Sequence, residues 1–115
     1  MKIEFEKENM QILPHFKGGE KEYRAIIIED KYHKIMKGCL IPGASIGMHK
    51  HEDSSEIMFI TKGTAKYIVI DKDGTKKVEI LKEGDCHYVK VGESHTLINE
   101  TSEDLHFYAV VSNFK

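Results

Sequence analysis

Short runs in which apolar and polar positions alternate recur along the chain: "EYRAIIIED" (22–30), "HKIMKGCLI" (33–41), "SSEIMFI" (54–60), "AKYIVID" (65–71), "KKVEILK" (76–82), "CHYVKV" (86–91), "HTLIN" (95–99) and "LHFYAVV" (105–111). A period of two, with β-branched and aromatic residues, predicts about eight strands, and no stretch carries a helical period. Turn chemistry separates the runs, with "PG" at 42–43, "DKDG" at 71–74, "EGD" at 83–85 and "TSED" at 101–104. One strand plus turn every ten or so residues predicts an all-β sandwich or barrel. A further strand is possible at residues 2–5, lying on this barrel or on a neighbour's. "AIIIE" (25–29) is apolar at successive positions, so a strand there buries both faces. One face serves the core; the other meets a covering loop or, as we expect, a second subunit in a symmetric dimer.

Composition narrows this picture. A chain of 115 residues, 40% hydrophobic and 31% charged, forms one ordered domain spanning 1–115. The net charge is −2 and lysines are interleaved with acids, as in "DKDGTKKVE", which excludes a phosphate-binding face and hence a nucleic-acid partner. "MKIEFEKENMQILPHF" is broken by charges too often to be a signal peptide or a membrane span, so a cytoplasmic protein without a membrane partner is expected. Cys39 and Cys86 lack a CxxC arrangement and are expected as buried free thiols.

Candidate chemistry concentrates in "GASIGMHKHEDSSEIMFITKG" (43–63). On a strand, residues two apart point to one face about 7 Å apart, so His49 and His51 can turn their imidazoles to a common point while Lys50 faces away. Glu56 heads a strand whose same face carries Met58 and Ile60, and a carboxylate there is costly to bury unless a cation or donor meets it. The spacing G-x5-H-x-H-x4-E-x6-G has a chance expectation on the order of a few in ten thousand for this composition. A second element at 84–99, "GDCHYVKVGESHTLIN", reads G-x5-K-x-G-x2-H-x3-N.

The two elements together resemble the two sequence motifs of the cupin family. The resemblance implies a double-stranded β-helix, or jelly-roll barrel, with metal ligands at His49, His51, Glu56 and His95. It also implies one divalent transition metal per chain, among Fe, Mn, Ni, Co, Cu and Zn. The second motif of the family usually has P-x-G where this chain has Lys90-Val91-Gly92. That proline rigidifies a turn and ligates nothing, so the ligand set stands without it. Three imidazoles and a carboxylate would leave open positions on an octahedral ion, as a catalytic rather than a closed structural site does.

Around this centre, parity places Met58, Ile60 and Leu97 as an apolar wall, and Ala65, Tyr67 and Val69 inward. Tyr67 is a candidate donor to a bound ligand. In "CHYV" either Cys86 and Tyr88 or His87 and Val89 face the pocket, so His87 and Tyr88 join Tyr67 as candidate catalytic groups. Arg24, the single arginine, is read as a surface ion pair with Glu22 or another acid, and otherwise as a clamp on a substrate carboxylate. His15, His33 and His106 show no ligand spacing. The resemblance points first to an enzyme of dioxygenase, decarboxylase or isomerase type acting on a small oxygen-rich molecule at the ion, with a non-catalytic, metal-dependent sugar or metabolite binder as the alternative. An enzyme needs a titratable inward group beyond the ligands, and a binder does not.

Overall fold

The computed structural model describes residues 1–114. Its strands are β1 (Gln11–Pro14), β2 (Glu22–Glu29), β3 (His33–Leu40), β4 (Ser45–Lys50), β5 (Ser54–Lys62), β6 (Thr64–Ile70), β7 (Lys76–Lys82), β8 (Cys86–Val89), β9 (Ser94–Ile98) and β10 (Leu105–Asn113). All eight alternating runs are strands. β1 and β4 are additional to them. Residues 2–5 form no strand: a 3-10 turn occupies Phe5–Lys7, and the leading strand is β1, paired with β2. Ile3 and Phe5 are the only apolar side chains of that first stretch, enough for one contact, Phe5 on Tyr108 with ring centroids 5.5 Å apart, rather than a ladder.

Two antiparallel sheets face each other as a jelly roll. One has the order β1-β2-β3-β10-β5-β8 and the other β4-β9-β6-β7. Between them lie Tyr23, Leu40, Met58, Ile60, Ala65, Tyr67, Leu97, Leu105 and Phe107, each almost wholly removed from water. Tyr23 and Phe107 stack at 5.8 Å, and the Tyr23 hydroxyl donates to the Met36 sulfur. Leu81 is the one buried residue of β7, an edge strand otherwise solvated. Asn99 is fully buried but fully partnered. Its Nδ2 donates to the carbonyls of Leu40 and Glu103, and its Oδ1 accepts from the Thr101 amide and hydroxyl, so this motif residue clamps a turn.

Strand registers settle which side chains share the outer face of the larger sheet. Ile28, Ile35, Val110, Ile57 and Tyr88 are consecutive cross-strand partners, which makes an apolar row across five strands. Of residues 25–29, Ile26 is 9% exposed and covered within this chain, Ile28 at the start of the row is half-buried, and the most exposed apolar surface lies further along the same sheet, at Ile57, Phe59 and Tyr88. The cysteines are also not both buried: Cys39 is half-buried and Cys86 exposed, because Val89 turns inward opposite Glu56 and parity then sends Cys86 out. Among the described residues no helix is long and apolar enough to cross a membrane.

Candidate metal centre

His49, His51, Glu56 and His95 meet between the two sheets. β4 pairs with β9 so that His49 stands opposite His95, and β5 delivers Glu56 from the facing sheet. A register shift between Ile46 and His49 breaks the β4 ladder just before the first histidine, as bulges that re-aim side chains at functional sites do. His51 follows the end of β4. Its amide donates to the Glu93 carbonyl and its own carbonyl accepts from the Gly92 amide, so the loop after β8 fixes it.

The donor atoms of the four residues lie within 4.8 Å of one another. His95 Nε2 is 3.0 Å from His49 Nε2, 3.0 Å from His51 Nε2 and 3.0 Å from Glu56 Oε1, and Glu56 Oε1 is 3.3 Å from His51 Nε2. One imidazole nitrogen carries at most one proton and cannot satisfy three acceptors. The outer nitrogens show where the protons are. His49 Nδ1 lies 2.7 Å from the Gly47 carbonyl and must donate to it, which leaves Nε2 as a lone pair in the neutral ring. His51 Nδ1 is 2.7 Å from the Ser54 hydroxyl and His95 Nδ1 3.3 Å from the Tyr67 hydroxyl; each hydroxyl can accept from Nδ1, which turns the Nε2 lone pair to the centre, or donate to it, which lets Nε2 donate to Glu56. In the first tautomer four acceptors converge on one buried point, an arrangement that fits a cation. Two ligands at right angles, each about 2.1 Å from an ion, are about 3.0 Å apart, which is the spacing the nitrogens have.

Burial pushes the Glu56 carboxyl up, but the facing His51 and His95 outweigh it and hold it at about 2, so it stands ionised. His49 is lowered to about 4, first by burial and then by the neighbouring histidines, against the Gly47 carbonyl, and this keeps its ring neutral. Burial, reinforced by the Glu56 charge, pushes the Tyr23 and Tyr67 hydroxyls up, so both remain donors.

A cavity of about 300 Å³ opens onto this centre. Its walls are Phe16, Tyr23, Met36, Ile46 and Val111, and it is lined by Lys17, Lys34 and Lys50 together with Glu29. Met58, Ile60 and Leu97 are buried but do not line it; they pack beneath the centre in the core. Phe16 and Lys17 come from a 3-10 turn, Phe16–Gly18, that lies directly on β4. A Cβ on Gly47 would stand 2.0 Å from the Lys17 carbonyl oxygen, and one on Gly19 would stand 2.1 Å from that of Ser45, so two backbones touch where only glycine fits.

Of the candidate catalytic groups, none lines this cavity. Tyr67 is fully buried behind His95. His87 points inward and packs on the Tyr67 ring from the other side, next to a smaller cavity of about 200 Å³, with its Nε2 buried and unpartnered among the described residues. Tyr88 is 53% exposed. Arg24 pairs with Glu22. Ser54, Glu29, Lys17 and Lys34 escape sequence reasoning, only Ser54 carrying a signal, three residues after His51; Lys50, expected from strand parity to face away from the histidines, is among the residues that line the cavity. The Lys90 turn closes without proline, since the Lys90 amide donates to Glu93 Oε1 at 2.8 Å, a bond a proline could not make.

Comparison with known proteins agrees with this geometry. A sequence model of the family described as Cupin domain matches residues 36–111. An oxalate-binding protein of Thermotoga maritima is 35% identical over 97 residues, 81% of this chain and 76% of that protein. A solved structure from Thermotoga maritima, described as a predicted oxalate decarboxylase, superposes with a TM-score of 0.87 at 28% identity, covering 98% of this chain and 99% of that one. A variant of oxalate decarboxylase from Bacillus subtilis has a TM-score of 0.77 at 23% identity, with 99% of this chain matching 29% of that one, a likeness of fold.

Proposed function

The chain belongs to the cupin family, and from that premise we propose that it binds a small dicarboxylate of oxalate type through one divalent transition metal held by His49, His51, Glu56 and His95. The observation that carries this reading is the joining of four converging donors to a cavity lined by Lys17, Lys34 and Lys50. The ion supplies a Lewis acid with open positions for carboxylate oxygens. The chain does the rest: the lysines draw a small anion in, and Phe16, Tyr23 and Ile46 restrict its size and exclude water. The relatives named for oxalate binding and oxalate decarboxylation support the same ligand class.

Binding without turnover is the reading favoured here, because Tyr67, His87 and Tyr88 do not line the cavity. Decarboxylation is the second reading, and Glu29 favours it as the carboxyl on the cavity wall that is not a ligand, placed to exchange a proton with a bound molecule. Metal content by elemental analysis, followed by calorimetric titration with oxalate, tests both. We expect oxalate to bind the metal-loaded protein and not the chelator-stripped protein. His51→Ala should lose most metal and all oxalate binding while keeping the β-rich circular dichroism. Unchanged metal content in His51→Ala overturns the site. Formate or carbon dioxide released from oxalate, and lost in Glu29→Gln, would replace the binding reading with the enzymatic one.

We further propose a homodimer, with the apolar row on the outer face of the larger sheet as its contact. A second copy suits it because Ile57, Phe59 and Tyr88 lie together on neighbouring strands, continuous with half-buried Ile28, Ile35 and Val110. A twofold axis matches an apolar row to itself.

A further inference from the structure

A second group of ligand-bearing side chains lies outside the centre already described. Cys39 on β3 and His106 on β10 are direct cross-strand partners. Their neighbours Leu40 and Leu105 are fully buried, so alternation turns Cys39 and His106 to the outer face. Asp104 precedes His106 by two positions and shares its side. One donor atom from each of the three lies within 4.8 Å of the others. Chain spacing hides the group: Cys39 and His106 are far apart in sequence, and only the β3–β10 register joins them.

Arg24 also stands opposite Cys39, on β2; its guanidinium pairs first with Glu22 and also feels the Asp104 charge, so a metal ion there would take Asp104 over from Arg24 while the Glu22 pair persists. A metal ion that binds Cys39 displaces its thiol proton, and the thiolate is the stronger ligand. A sulfur, an imidazole nitrogen and a carboxylate oxygen make a borderline-soft set, unlike the nitrogen and oxygen donors of the interior centre.

The geometry points to a second metal site, a zinc-type site formed by Cys39, Asp104 and His106 on the outer face of the larger sheet, with its fourth position open to water.

Cobalt(II) is the probe, because a thiolate on cobalt gives a near-ultraviolet charge-transfer band that an all-nitrogen and oxygen centre lacks. The full chain, stripped by chelator and with thiols kept reduced, is titrated with cobalt(II) and, separately, with zinc(II). We expect the band in wild type and in His51→Ala, where the interior centre is lost. Cys39→Ser should abolish it and lower zinc content by one ion per chain, and His106→Ala should weaken cobalt binding by tenfold or more. Both side chains face outward, so circular dichroism should match wild type. A wild-type protein without the band overturns the site, as does a band that survives Cys39→Ser and disappears in Cys86→Ser.

Discussion

His95 has two nitrogens with different tasks: Nε2 faces three other donors, and Nδ1 faces the Tyr67 hydroxyl at 3.3 Å. Hydrogen bonds on the far nitrogen of a ligating imidazole fix its tautomer and orientation, and their loss costs roughly tenfold to a hundredfold in metal affinity. Tyr67→Phe keeps the packing and removes that bond, so metal affinity measured against a competing chelator should fall by about that factor, with little change in folding. The pH response of the metal-free protein follows from His49 and His87, both lowered from 6.5 to about 4, chiefly by burial. Between those values the unfolded chain takes up protons that the folded chain resists. Stability is therefore complete above about pH 6.5 and is lost as pH falls toward about 4. The thermal midpoint should drop over that window, and His87→Leu should flatten part of the drop while leaving metal content unchanged. Parity over a few residues made His49 and His51 legible as a pair, whereas His95, on another strand, joins them only through the resemblance of the two motifs. The bonds that orient them were not legible, because Tyr67 reaches His95 across a strand pairing that no spacing reveals.

At the scale of elements, the contact between the Phe16–Gly18 turn and β4 decides the shape of the cavity. Gly47→Ala would place a methyl 2.0 Å from the Lys17 carbonyl, so the turn must lift and carry Phe16 and Lys17 away from the mouth. Overpacking of this kind costs about 1–3 kcal/mol, and here more, since the obstacle is backbone. We expect a lower thermal midpoint and weaker oxalate binding in Gly47→Ala, with metal content largely retained; unchanged oxalate affinity would show that the turn does not shape the site. This contact explains why β4 does not read as an alternating run. "SIGMHK" breaks alternation with a glycine and a register shift, both of which serve the turn and the histidines rather than the ladder. What Gly19 packs against depends in the same way on tertiary structure.

For the whole molecule, alternation predicted the all-β architecture because each strand has one face in the core. It could not reveal the other face of the larger sheet, where burial depends on what lies outside the chain. Ile57, Phe59 and Tyr88 are 37%, 48% and 53% exposed, while Glu56, Met58 and Val89, their sequence neighbours, are buried. A standard stable interface buries about 800 Å² per partner, which a five-strand face with an apolar row can provide. Light scattering after size exclusion should therefore give the mass of two chains. Ile57→Lys puts an unpaired charge in the centre of the row and should give one chain. Metal content should stay at the wild-type level, because position 57 points away from Glu56, its neighbour on the same strand. A monomeric wild type at micromolar concentration would remove the dimer and leave the metal centre intact, since all four of its ligands come from one chain.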